Sequence, residues 1–138
     1  MHIQPYLFFN GRCEEAVEFY QRTVGAKAGM LLRMKDSPEP PPPGAMPPGM
    51  ESKIMHGELQ IGDTTLLVSD GMSDGPPTFD GFRLALQVAD VATCERLFAG
   101  LAAGGQVQQA PAKTFFSAAF GMCTDRFGLP WMVLVSQP

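Results

Sequence analysis

The spacing of apolar residues changes repeatedly along this chain, and each change predicts a different secondary-structure element. Residues 3–9 are apolar and rich in aromatic side chains, which predicts a strand. From Cys13 to Val24 the apolar residues fall three or four positions apart, as in a helix with one buried face, and Gly25 ends the pattern. Asn10 is expected to cap this helix. Residues 26–34 favour a second strand.

A proline-rich segment then interrupts the pattern at residues 37–50, which contain seven prolines and two glycines. Proline has no backbone N–H and favours an extended conformation, so this segment cannot form a central strand or a helix. We interpret it as a surface loop; the alternative is a lid or a partner-contact segment, because loops this long are often functional. Residues 53–61 and 64–69 predict a hairpin, with its turn at Gly62-Asp63.

The same order of elements returns in the second half of the chain. After a loop at residues 70–81, residues 82–88 predict a strand. Asp90 is expected to cap a second helix, whose apolar stripe extends to Leu101 and which Gly104-Gly105 ends. Three further strands and one turn are indicated: a strand at 106–110, a strand within 114–124, a turn at 125–128 and a strand from Trp131 to Val135.

This repetition predicts an α+β protein with one domain, residues 1–138. Two tandem βαβββ modules form a curved mixed sheet in it, module one at residues 1–72 and module two at residues 80–138.

Composition and charge indicate a globular protein and exclude some classes of partner. Hydrophobic residues make up 45% and charged residues 17% of the chain, which is a globular balance. The net charge is −4 and lysines and arginines do not cluster, so we expect neither nucleic acid nor an anionic membrane as a partner. The apolar runs are shorter than the roughly 20 residues of a membrane span. The first residues lack the basic region of a signal peptide, so we expect a cytoplasmic protein.

Three cysteines lie far apart, at Cys13, Cys94 and Cys123, and form no C-x-x-C pair. An odd and dispersed set favours reduced, buried thiols over disulfides. A reactive or metal-binding thiol is the alternative.

Several short motifs of this chain resemble those of PhnB-like proteins. The resemblance covers nearly the whole chain, and it departs from the group at the proline-rich insert and at Phe116, where the group usually has Trp. The matching segments are Pro5–Gly11, Glu15-Ala16, Phe19-Tyr20, Gly25-Ala26, Lys53–Leu59, Ser69-Asp70, Thr114–Phe116, Phe120-Gly121, Thr124–Gly128 and Trp131–Val133.

PhnB-like proteins belong to the vicinal-oxygen-chelate superfamily, so the resemblance implies the glyoxalase/bleomycin-resistance fold. It also implies a homodimer in which modules of two chains share a site for a small molecule. Some members are called ubiquinone-pathway methyltransferases. This chain, however, has no Gly-rich strand-to-helix loop of the kind that a nucleotide-type cofactor would use.

Enzymes of this superfamily hold a divalent metal with His and Glu ligands on the first and last strands of each module. By register, those positions fall near Pro5, Leu67, Arg83 and Met132 in this chain. None of these is an ordinary metal ligand. We therefore expect no metal and no other cofactor.

Six residues are candidate ligand contacts, each with a structural alternative. His56 can bind or deprotonate a ligand near neutral pH, or it can be hydrogen-bonded within the sheet or at a subunit interface. Arg83 lies in an apolar strand, so its charge either pairs with an anionic ligand or lies in solvent at the strand edge. Asp70 contacts a ligand or caps a turn. The remaining three are aromatic residues that line a pocket for a planar or apolar molecule or belong to the core: Tyr6, Phe116 and Trp131.

These features favour a metal-free protein that binds an unidentified small molecule in the sheet cavity. One alternative is a lyase, isomerase or dioxygenase that uses a metal or His56 on a small carbonyl or aromatic substrate. Another is a sequestration protein of the bleomycin-resistance kind. The sequence has no G-x-S-x-G nucleophile elbow and no phosphate-binding loop, so hydrolase triads and nucleotide phosphates are not indicated.

Overall fold

Strands and helices follow the expected order in the computed structural model, which describes residues 1–39, 42, 44, 46, 48–73 and 75–136. The chain divides into two compact units, residues 1–77 and 78–138, which we call module one and module two from here on. The first unit contains β1 (Tyr6–Phe8), α1 (Cys13–Val24), β2 (Lys27–Arg33), a 3₁₀ helix (Met34–Asp36), β3 (Ile54–Ile61) and β4 (Thr64–Ser69). The second contains β5 (Leu84–Val88), α2 (Val91–Ala102), β6 (Gln106–Ala112), β7 (Phe120–Thr124) and β8 (Pro130–Val135).

Each unit forms its own four-stranded mixed sheet, in the order β1-β4-β3-β2 in module one and β5-β8-β7-β6 in module two. The first and last strands of a module pair in parallel, and the remaining pairs are antiparallel. A parallel pair needs a long crossover, and here that crossover includes the helix. The α+β class and the repeated βαβββ order are therefore confirmed.

Each helix packs against its own sheet and leaves the opposite face uncovered by that helix. In module one, α1 contacts β2 and β3. Apolar side chains of the sheet that share its helix side are buried, among them Leu7, Leu59 and Val68. In module two, α2 lies against β6, β7 and β8. We call the face of the module-one sheet opposite α1 the open face.

The start of α1 corrects one expectation, because Asn10 does not cap this helix. Asn10 has a φ of 49°, in the left-handed region, and its side chain donates to the carbonyl of Pro76 at 3.3 Å. The carboxylate of Asp70 instead accepts from the backbone N–H groups at the helix start. The cap expected at Asp90 is confirmed, since its side chain accepts from the N–H of Thr93 at 2.8 Å.

Two strand boundaries differ from the prediction for reasons that involve proline. The first strand begins at Tyr6 rather than at residue 3, and Pro5, which has no N–H to donate, contributes only its carbonyl, to Leu67. β6 continues to Ala112 through Pro111 because it is the last strand of its sheet order, where a missing donor is tolerated.

The proline-rich segment 37–50 is described only in part. Residues 40, 41, 43, 45 and 47 lie outside the described residues, so the structure does not test whether the segment is a plain loop or a lid. No helix within the described residues has the length and hydropathy that a membrane span requires.

Candidate functional site

Two aromatic rings lie side by side on the open face of module one. Tyr6 and Phe8 are two residues apart on β1, so both point away from α1, while Leu7 between them is buried. The two rings stack with their centroids 4.9 Å apart and their planes 10° from parallel. Tyr6 is 42% exposed and Phe8 47% exposed. The first strand thus presents a flat apolar surface.

A change of register in β3 brings two neighbouring residues to this same face. Leu32 of β2 pairs with His56, but the next residue, Arg33, pairs with Ile54, so Met55 is an extra residue in β3. The bulge returns Ile54 to the buried side, where it is fully covered. Met55 and His56, both half-buried, are left to face Tyr6.

His56 forms a direct hydrogen bond with Tyr6. The phenol oxygen of Tyr6 lies 2.8 Å from Nδ1 of His56, and the two rings are 5.6 Å apart at an angle of 55°. Burial raises the pKa of the Tyr6 phenol above its ordinary value, with a smaller contribution from Cys13, so the hydroxyl stays protonated at neutral pH. A protonated phenol can donate to neutral Nδ1 or accept from Nδ1–H. The bond joins the imidazole of His56 to the aromatic surface.

A cavity of about 370 Å³ adjoins the aromatic surface, a volume typical of small-molecule sites. Gly71 forms part of its wall with a φ of +66°, and a Cβ atom there would lie 3.1 Å from the Phe8 ring. Only glycine therefore lets the chain approach this ring without displacing it. The described residues that line the cavity are two with aromatic rings, three methionines and three polar or small residues: Tyr6, Phe8, Met34, Glu39, Met55, Ser69, Gly71 and Met72.

Asp70, beside this cavity, is a buried carboxylate that forms hydrogen bonds with two separate stretches of backbone. It is 1% exposed. Its Oδ1 accepts from the N–H groups of Gly11 and Cys13, and its Oδ2 accepts from the N–H of Ile54, all at 2.8 Å. This one carboxylate therefore connects the start of α1 to the start of β3, and its contacts position backbone.

Arg83 lines a different cavity, in module two. It lies just before β5, which begins at Leu84 rather than at residue 82. Its Nη1 donates to the carbonyls of Cys123 and Trp131, both at 3.1 Å. The cavity has a volume of about 550 Å³, and the described residues that line it are Phe79, Asp80, Gly81, Phe82, Arg83, Thr124, Gly128, Pro130 and Met132.

The two aromatic candidates of module two, Trp131 and Phe116, differ in their exposure to solvent. Trp131 is 2% exposed, and its indole N–H donates to Oδ2 of Asp125 at 2.9 Å, so the side chain is part of the core. Phe116 lies in the loop before β7 and is 37% exposed. Its ring meets those of Phe115 and Phe120 edge to face, with centroids 5.2 and 5.1 Å away.

The residues at the metal positions implied by the family resemblance do not fit a divalent ion. The side chains of Pro5, Leu67 and Met132 offer no ordinary ligand, and the guanidinium of Arg83 is a cation. Across the described residues, no group of three or more His, Cys, Asp or Glu side chains could hold a metal.

All three cysteines are buried and free, and their thiols are poor nucleophiles. Burial raises the pKa of each thiol, most strongly at Cys13, where the carboxylate of Asp70 adds to the effect. Burial likewise raises the pKa of Cys123 from 9.0 to about 11. Because the thiolate is the reactive form, these cysteines are expected to be structural.

Cys123 gives a prediction for the pH dependence of stability. The folded state holds the thiol proton more tightly than the unfolded state, so this contribution is complete below pH 9 and is lost as the pH rises towards about 11. We expect Cys123→Ala to flatten the fall in the free energy of unfolding across this interval, as measured by urea unfolding at several pH values. Parallel curves for the variant and the wild type would contradict this.

Some residues of the module-one cavity carry no clear signal in the sequence. Phe8 follows from Tyr6, because residues two apart on a strand share a face. Met55 does not, because strict alternation assigns it to the side opposite His56 and only the bulge moves it. Met34 lies in the 3₁₀ helix and Met72 in the loop after β4, where periodicity gives no orientation.

Comparison with known proteins places these two modules in a family. The family model described as 3-demethylubiquinone-9 3-methyltransferase matches residues 1–134. Protein YjdN of Escherichia coli (strain K12) is 36% identical over 140 residues, which cover 98% of this chain and 95% of YjdN.

Solved structures agree with this assignment. Protein PA1353 from Pseudomonas aeruginosa is 40% identical with a TM-score of 0.85, covering 100% of this chain and 99% of that one. A putative 3-demethylubiquinone-9 3-methyltransferase, PhnB protein, from Bacillus cereus has the same fold at 21% identity and a TM-score of 0.80, with 99% and 100% covered. A glyoxalase-related enzyme from Fulvimarina pelagi shares the fold at 17% identity and a TM-score of 0.59, with 99% and 88% covered.

Proposed function

We propose that this chain, which belongs to the PhnB-like family described as 3-demethylubiquinone-9 3-methyltransferase and has the glyoxalase fold, binds an uncharged planar small molecule on the open face of module one. The observation that carries the proposal is the stacked pair Tyr6 and Phe8, each more than two-fifths exposed beside a cavity of about 370 Å³. Covering exposed aromatic rings with a flat apolar molecule removes apolar surface from water, which makes binding favourable.

The rest of the lining suits an apolar ligand whose outline is not sharply defined. Met34, Met55 and Met72 have flexible, polarisable side chains that adapt to different shapes and make favourable contacts with aromatic rings. The hydroxyl of Ser69 is already engaged, since it donates to the carbonyl of Ile54 and accepts from the N–H of Gly71. The Tyr6 hydroxyl makes one hydrogen bond, to His56, and a phenol can make a further one, so it can recognise a polar group of the ligand beside the rings.

Charge favours a neutral ligand over an anion. Glu39 lines the cavity and is exposed, and no lysine or arginine is among the described lining residues. The chain as a whole has a net charge of −4. A hydroxyl or carbonyl group on the ligand can exchange hydrogen bonds with the Tyr6–His56 pair without adding a negative charge.

Naphthol, a fluorescent planar molecule with one hydroxyl, is a suitable probe for a fluorescence titration. We expect saturable binding to the wild type and about tenfold weaker binding to Phe8→Ala, because the loss of one stacked ring removes roughly 1–2 kcal/mol of burial and ring contact. The anion naphthalenesulfonate should bind more weakly than naphthol, because of the charge of Glu39.

Phe115→Ala is the matched control for this titration. Phe115 lies in module two and is 99% exposed, so its removal takes away an exposed phenylalanine without touching the open face. Its affinity for naphthol should equal that of the wild type. Equal affinity of Phe8→Ala and the wild type, or an equal loss in both variants, would refute a site at the stacked rings.

A further inference from the structure

The cavity of module two has a recognition group of its own in Arg83. The cavity of about 550 Å³ combines this cation with two aromatic rings, Phe79 and Phe82, whose centroids lie 6.5 Å apart at an angle of 83°. Phe82 is 43% exposed. A guanidinium next to partly uncovered rings is chemistry that differs from that of the module-one cavity.

One end of the Arg83 guanidinium is fixed by the sheet. Nη1 donates to the carbonyls of Cys123 on β7 and Trp131 on β8, and more distantly, at 3.4 Å, to Oε1 of Gln108. These contacts hold the planar group in place before any ligand arrives. A fixed guanidinium loses little conformational entropy on binding.

The other edge of the same group is unused. Nε and Nη2 of Arg83 make no hydrogen bond to any residue that the structure describes, and no carboxylate of that part of the chain forms an ion pair with it. Nε–H and Nη2–H form the fork that binds both oxygens of a carboxylate in parallel. Among the described residues, Arg83 therefore lines the cavity with Nη1 held by the sheet and with the other edge of its guanidinium without a partner.

We propose that this cavity binds an aromatic carboxylic acid, with its carboxylate on Arg83 and its ring against Phe82. Asp80 also lines the cavity, and its Oδ1 accepts from the N–H of Gly81 at 2.9 Å. The carboxylate of Asp80 repels a phosphate dianion more strongly than it repels a singly charged carboxylate ligand. Of the two anions that arginine commonly binds, we therefore expect a carboxylate here. The residues that carry this proposal all belong to module two, and those that carry the first proposal belong to module one.

Benzoate is the probe and benzamide, a neutral molecule of the same shape, is its control. In a nuclear magnetic resonance titration, benzoate should shift the Nε–Hε signal of Arg83 and the backbone amides of Phe82, Thr124 and Gly128 in a saturable way. Benzamide and inorganic phosphate should cause much smaller shifts at these positions.

Arg83→Gln should weaken benzoate binding about 10- to 100-fold, as expected for the loss of a charge-assisted pair of hydrogen bonds. Arg96→Gln removes an exposed arginine of the same module and should leave binding unchanged. Thermal unfolding of both variants shows whether they fold, and Arg83→Lys, which keeps the charge without the fork, should bind with intermediate affinity.

Three results would overturn this proposal: the absence of a saturable benzoate shift at Arg83, equal shifts with benzamide, or unchanged affinity in folded Arg83→Gln. Phe8→Ala separates the two sites. It should retain benzoate binding while its affinity for naphthol falls about tenfold, so the failure of one proposal does not imply the failure of the other.

Discussion

Replacing Asp70 with Asn should lower the free energy of unfolding by about 4 kcal/mol, a large part of the roughly 5–15 kcal/mol that holds a domain of this kind together. The carboxylate is 1% exposed and accepts hydrogen bonds from three backbone N–H groups, those of Gly11, Cys13 and Ile54. An asparagine keeps one acceptor oxygen but turns an NH₂ group towards at least one of these donors. A buried donor without an acceptor costs the free energy of its lost hydration.

Urea unfolding followed by circular dichroism measures this effect, with Asp63→Asn as the control. Asp63 is exposed in the turn between β3 and β4, where Asn is as acceptable as Asp, so its free energy of unfolding should change by less than about 0.5 kcal/mol. Similar midpoints for the two variants would mean that Asp70 does not hold α1 to β3. A ligand contact alone would reduce binding and leave stability nearly unchanged.

Trp131→Ala should cost about 3–5 kcal/mol, the usual range for truncating a large buried aromatic side chain. The indole is 2% exposed, shares its side of β8 with the buried Val133 and Val135, and donates to Asp125. Because the packed side chains around it relax only in part, the truncation leaves a cavity in module two.

This variant must be followed by circular dichroism, because Trp131 is the single tryptophan of the chain. Phe115→Ala provides the comparison, since its ring is 99% exposed and its removal should change stability by less than about 0.5 kcal/mol. A Trp131→Ala protein as stable as Phe115→Ala would show that the indole does not support the core. It would also restore Trp131 as a candidate ligand contact.

The elements of this fold follow from local patterns, which is why the sequence predicts them well. Apolar spacing of three or four residues, a capping Asp90 and terminating glycines define the two helices without any knowledge of tertiary contacts. The prediction that Asn10 caps α1 is wrong. The side chain that accepts from the N–H groups at the start of this helix is that of Asp70, about sixty residues away along the chain. Local sequence rules cannot identify such a distant acceptor.

The side-chain arrangement of the site is less accessible to sequence reasoning. Alternation relates Tyr6 to Phe8 but assigns Ile54 and His56 to one face, whereas the bulge at Met55 separates them. Trp131 illustrates a second difficulty. Both faces of β8 have apolar residues, so composition does not tell which face meets α2 and which meets a cavity. The ligand and the homodimer stay predictions.

The most direct test of the central claim is to map where naphthol contacts the isotope-labelled protein by nuclear magnetic resonance. We expect saturable shifts of the amide signals in three segments that surround the stacked rings: Tyr6–Phe8, Met55-His56 and Ser69–Met72. Signals of α2 should stay in place. Shifts confined to module two, or no saturable shift at Phe8, would contradict a small-molecule site on the open face of module one.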